Sequence, residues 1–70
     1  MSYLDQLAQS IKTKRAQLGM TQADLAQRVN ISQAMLARIE LGDKAPSLQL
    51  SHAIALALGC ALADLFEEEA

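Results

Sequence analysis

The chain has no tryptophan, and it holds one tyrosine, one phenylalanine, one proline, one cysteine and three glycines among its 70 residues. β-Branched and turn-forming residues are too scarce to build a sheet. The lone Cys60 excludes an internal disulfide and makes a reducing cytoplasm the expected setting. With one cysteine and one histidine, His52, no metal cluster of recognisable spacing can be assembled. No stretch approaches the ~18 uninterrupted apolar residues of a membrane helix, and nothing resembles a signal peptide. No nucleophile–base pair, carboxylate pair or phosphate-cradling loop stands out, so neither catalysis nor a cofactor is expected.

What is there favours helices. Apolar residues make up 51% of the chain and are nearly all Ala, Leu and Ile, too many for disorder. Ala and Leu, with the Gln, Lys, Arg and Glu around them, are the strongest helix formers. Seventy residues make one domain, 1–70, with a core only just large enough to stand alone.

The net charge of −2 hides an uneven distribution. All six basic residues (Lys12, Lys14, Arg15, Arg28, Arg38 and Lys44) lie between 12 and 44, where Asp24, Glu40 and Asp43 are the only acids. That middle segment carries +3, whereas the final DLFEEEA holds four acids and no base. Such a middle suits either a solvated surface or an anionic partner.

Periodicity and punctuation divide the chain into five helices, about 2–18, 22–29, 33–41, 48–58 and 61–67. In the first, Leu4, Leu7, Ala8, Ile11 and Leu18 form one apolar stripe, and Gly19 stops it. Thr21 caps the second, with Asp24 at the capping-box position. Ser32 and Ser47 cap the third and fourth, which stop at Gly42 and Gly59. On the fourth helix, Leu48, Ile54, Ala55 and Leu58 are expected to face inward. Only Asn30, Ile31 and Ser32 separate the second helix from the third. Asn30 tolerates a left-handed conformation, so two steeply crossed helices are implied, a helix-turn-helix. Leu25, Ala26, Val29, Ile31, Leu36 and Ile39 sit where such helices must touch.

The segment KTKRAQLGMTQADLAQRVNISQAMLARIELG, followed by APS and LALG, resembles the Cro/repressor helix-turn-helix family, in particular the lambdoid phage repressors. The likeness spans roughly residues 10 to 66 and is most specific in TQADLAQ, RIELG and Pro46–Ser47. It implies an all-α five-helix bundle that binds DNA. It also implies that Gln22 grips the DNA backbone and that Arg15 pairs with Glu40. The pairing is physically sensible, because Arg15 falls on the apolar stripe of the first helix and Glu40 lies near the buried face of the third. A phosphate contact by Arg15 is the secondary reading.

In the docking geometry of this class, the third helix offers its early outward residues to base edges in the major groove. Gln33 suits adenine, Arg38 suits guanine or a phosphate, and Ala34 and Ala37 can touch thymine methyls or serve only as helix formers. Thr21, Gln22, Arg28, Ser32 and Lys44, with the first-turn amides of the second and third helices, are the backbone-contact candidates. Lys12 and Lys14 are assigned mainly to a solvated face. A homodimer is expected, with Ala53, Leu56 and Cys60 as an apolar stripe for the interface. Leu65 and Phe66 on the last helix are expected to extend that surface, with closing the core as the alternative for Phe66. The family usually has a polar residue near Leu56 and an apolar one at Ser51, so both positions depart from its pattern. Glu67 to Glu69 read as a solvated tail that discourages non-specific DNA contact.

The resulting expectation is a cytoplasmic, nucleoid-associated, prokaryotic or phage-type regulator that binds double-stranded DNA at a palindromic operator. It would act as repressor or activator, blocking or recruiting a protein partner such as a polymerase. The alternatives are an antitoxin with a toxin partner, a restriction-modification controller, or a protein-interaction module that leaves DNA alone.

Overall fold

Each helix starts where a hydroxyl can cap it. In the computed structural model, which describes residues 2–66, four α-helices follow Ser2, Thr21, Ser32 and Ser47. They are α1 (Tyr3–Gln17), α2 (Gln22–Arg28), α3 (Gln33–Glu40) and α4 (Leu48–Ala57), with no strand among the described residues. Each cap oxygen accepts a backbone N–H three residues on, at 3.0 to 3.2 Å.

The ends are equally uniform. Each helix is followed by a left-handed residue: Gly19, Asn30, Gly42 and Gly59. After α3 the Asp43 N–H reaches back to the Arg38 carbonyl and the Gly42 N–H to the Ile39 carbonyl, so orphaned carbonyls find donors. Gly42 is doubly constrained. Its φ is +77°, and an added Cβ would lie 2.9 Å from Asp5 Oδ1 on α1.

The core gathers side chains from every element: Leu7 and Ile11 of α1, Leu25 and Ala26 of α2, Leu36 and Ile39 of α3, and Ile54 and Ala55 of α4, with Leu58 and Leu65 beyond it. These form one continuous apolar cluster. Ser51 is also buried, and its hydroxyl donates to the Ser47 carbonyl at 2.8 Å. A polar residue on the inner face of α4 is thereby satisfied.

Three expectations are corrected. The fifth helix is a short 3₁₀ helix over Leu62–Phe66, giving four α-helices where five were expected. Asp64 closes this short segment by accepting from the Ala61 N–H, and the Gln6 amide donates to the Phe66 carbonyl at 2.6 Å. Leu65 is wholly buried beneath it and so is core, unavailable to an outer surface. Leu18 and Leu48, both expected inward, are 56% and 75% exposed. Leu18 is the C-cap of α1, past the part of the helix that its neighbours cover. Leu48 is six positions before Ile54, about 120° around the helix from it. The acidic Glu67 to Glu69 and the last residue assigned to the fifth helix, Glu67, lie outside the described residues.

Candidate nucleic-acid interface

α2 and α3 meet through a turn that leaves little freedom. Asn30 has φ +60°, and the Ile31 N–H donates to the Ala26 carbonyl at 3.0 Å. Ile31 is half-buried against the core, and Ser32 then caps α3. Leu36 and Ile39 anchor α3 from below. The opposite side carries Gln33, Ala34 and Arg38, all exposed, while Ala37 is half-buried. Arg38 Nε donates to Asp43 Oδ2 at 3.2 Å with both side chains well exposed, a contact that solvent screening leaves weak and easily exchanged.

The N-terminus of α2 lies beside this face. Thr21 and Asp24 form a reciprocal capping box, each side chain accepting from the other's backbone N–H at 3.0 Å. The Thr21 backbone N–H donating to the carboxylate is the chief cause that lowers the Asp24 pKa below the ordinary range, and the Thr21 side chain beside it adds to the effect. The Gln22 and Ala23 amides of the first turn have no intrahelical acceptor, which is the general condition of a helix start.

Behind them lies a buried polar knot. Arg15 Nε donates to Glu40 Oε2 at 2.7 Å and Nη2 to Oε1 at 2.9 Å, while Nη1 donates to the Met20 carbonyl at 2.7 Å. The side chains are 14% and 3% exposed. The hydrogen bond to Glu40 is the chief cause that raises the Arg15 pKa, the burial of the guanidinium opposing it. Gln22 Nε2 adds a further donor to Glu40 Oε1 at 3.2 Å. Gln22 and Glu40 are 18 positions apart, and no local pattern in the sequence signals their contact.

The remaining candidates are dispersed. Thr21, Gln22 and Ser32 sit at the two helix starts, and Lys44 is half-buried in the loop after α3. Arg28 is at the far end of α2, where it rims an open groove of about 260 Å³ with Leu18, Met20, Ala57, Leu58 and Gly59. Of the apolar stripe on α4, Leu56 is 64% exposed, Ala53 is half-buried, and Cys60 is half-buried against the core. Burial raises the Cys60 thiol pKa, which keeps it protonated and a poor nucleophile. Phe66 is half-buried and stacks on Tyr3 of its own chain, ring centroids 5.3 Å apart at 11°. Among the described residues, no group of His, Cys, Asp and Glu could hold a metal ion, and no helix is long and apolar enough to cross a membrane.

Comparison with known proteins agrees with this geometry. A family model described as helix-turn-helix matches residues 11–65. An uncharacterised HTH-type transcriptional regulator of Methanothermobacter thermautotrophicus is 45% identical over 49 residues, covering 70% of this chain and 71% of the relative. The crystal structure of the clp gene regulator ClgR from Corynebacterium glutamicum superimposes with a TM-score of 0.90 at 29% identity, over 94% of this chain and 85% of that one. Hydroxypropylphosphonic acid epoxidase from S. wedmorenis contains a similar unit, with a TM-score of 0.83 and 26% identity, although this chain covers only 34% of that enzyme.

Proposed function

The chain belongs to the helix-turn-helix family, and on that premise we propose that it is a transcriptional regulator binding double-stranded DNA as a homodimer at a palindromic operator. The observation that carries this reading is the outer face of α3, where Gln33, Ala34 and Arg38 are exposed on a helix anchored through Leu36 and Ile39. With α3 in the major groove, Gln33 pairs bidentately with adenine. Arg38 leaves Asp43 for guanine or a phosphate, and Ala34 and Ala37 meet thymine methyls. Thr21, Gln22 and Ser32 approach phosphates from the two helix starts, with Lys44 and Arg28 as outlying contacts.

Two features support the dimer. The molecule measures 30 × 23 × 20 Å, so one copy cannot present recognition helices to two grooves about 34 Å apart. The outward side of α4 offers Leu48, Ala53 and Leu56, and α4 contains no Asp, Glu, Lys or Arg that would face its own image across a twofold axis. Binding to DNA in the cytoplasm follows from the same reading. The protein needs no cofactor and catalyses nothing in it.

Selection from random duplexes with the purified protein tests the proposal. Two half-sites about one helical turn apart are expected. Gln33→Ala should relax preference at one base pair of each half-site, at a cost of about 1–3 kcal/mol, and an unchanged sequence logo refutes that assignment. Affinity should fall with salt, log K dropping by about 0.9 per phosphate contact for each tenfold rise. No salt-dependent binding at low ionic strength refutes the DNA reading.

The second reading, a module that binds protein, is favoured by the exposure of Leu41, Leu48 and Leu56, at 78%, 75% and 64%. An antitoxin or restriction-modification controller combines both readings. Such a protein is distinguished by a stable second polypeptide that shields those leucines.

A further inference from the structure

Glu40 closes α3 and accepts from two other segments at once. Arg15 already satisfies both of its oxygens, through Nε at 2.7 Å and Nη2 at 2.9 Å. The third donor, Gln22 Nε2 at 3.2 Å, shares Oε1 with Arg15 and is not needed to compensate the charge. Its consequence falls on Gln22.

A glutamine amide has a donating end and an accepting end. Beside a carboxylate held by Arg15, only one orientation is tolerated. Turning the amide over would set two oxygens together with no proton between them. Glu40 therefore holds the nitrogen of Gln22 toward α3. One proton of Nε2 is spent on Glu40, and the second stays free to donate at the start of α2. Arg15 also grips the Met20 carbonyl at 2.7 Å, which steadies the chain immediately before the Thr21 cap.

We infer that Glu40 is a positioning residue for DNA binding, holding the Gln22 amide with its free N–H set to meet a phosphate oxygen. This rests on the DNA-binding reading above. A glutamine without that hold would sample both amide orientations and lose the freedom on binding. With it, much of that ordering is complete before DNA arrives.

The test is a double-mutant cycle of Gln22→Ala and Glu40→Asp, measured against a mixed-sequence duplex at low salt. Glu40→Asp keeps the negative charge for Arg15 but withdraws the carboxylate by one methylene. In the wild-type background Gln22→Ala should weaken binding about tenfold, the weight of one hydrogen bond to a charged group. In the Glu40→Asp background the same change should cost less than about twofold. An equal factor in both backgrounds, with folding verified by circular dichroism, overturns the inference.

Side-chain amide exchange by NMR in the free wild-type protein supplies a second readout that needs no variant to fold. The Gln22 Nε2 protons should exchange more slowly than those of exposed Gln49, and equal rates overturn the inference. If the wild type binds no duplex while the Gln22 amide is protected, it is the DNA-binding reading that has failed. The role given to Glu40 then falls with it, although the hold on Gln22 stands.

Discussion

Replacing Arg15 with leucine should destabilise the protein more than replacing its partner Glu40, and the reason lies in what each change strands. Arg15→Leu removes both hydrogen bonds to Glu40 and the one to the Met20 carbonyl. The Glu40 side chain, 3% exposed, is left with Gln22 Nε2 at 3.2 Å as its only side-chain donor among the described residues. Removing one partner of a buried ion pair costs about 3–5 kcal/mol, and so poorly compensated a carboxylate belongs in that range. Glu40→Leu strands less. Arg15 is 14% exposed, keeps its bond to Met20 and has a long stem that can carry the guanidinium to water, so about 2 kcal/mol is expected. The double variant Arg15→Leu/Glu40→Leu buries no charge and should cost only about 1 kcal/mol or less.

A domain this small has only about 3–5 kcal/mol of stability in all, so Arg15→Leu should populate the unfolded state even without denaturant. Urea titration followed by circular dichroism at 222 nm, with a stabilising osmolyte in the buffer, brings all four proteins into a measurable range. Equal costs for the two single variants would refute the asymmetry. A double variant whose cost equals the sum of the singles would refute the coupling.

Gly42→Ala should cost about 1–2 kcal/mol for its left-handed backbone, and more because the new Cβ meets Asp5 Oδ1 at 2.9 Å. Asp5→Ala in the same chain should recover only the second part, and no recovery would show that Asp5 yields freely. The start of α2 should weaken in acid: the Asp24 pKa is depressed in the folded state, so its contribution is present above the unfolded carboxylate range and lost as pH falls through the folded value. Faster exchange of the Thr21 amide on acidification, beyond the intrinsic pH trend and absent from Asp24→Asn, would verify it. Leu56→Glu should leave stability within about 0.5 kcal/mol, because Leu56 is 64% exposed, while halving the mass measured by sedimentation. An unchanged dimer would remove α4 from the interface.

Much of this fold is legible in the sequence because its signals are local. Hydroxyl residues with a free N–H three positions on start the helices, and three glycines and Asn30 end them through left-handed conformations. Those preferences act within four or five residues, so one strand of sequence is enough to read them. The stretch LADLF is different. It has helix-forming composition, but burial of Leu65 and the Gln6 bond to the Phe66 carbonyl suit a short 3₁₀ helix.

The sequence by itself determined where the helices begin and end and that a tight turn joins α2 to α3. Its likeness to a known family drew attention to Arg15 and Glu40. The tertiary structure alone decided which members of an apolar stripe are covered. Leu7 and Ile11 are buried while Leu18, on the same stripe, is open, because a helix stays covered only as far as its neighbours extend. It also decided that Tyr3 stacks on Phe66 and that Gln22 meets Glu40. Such contacts join residues far apart in the chain, and packing, rather than any local preference, sets them.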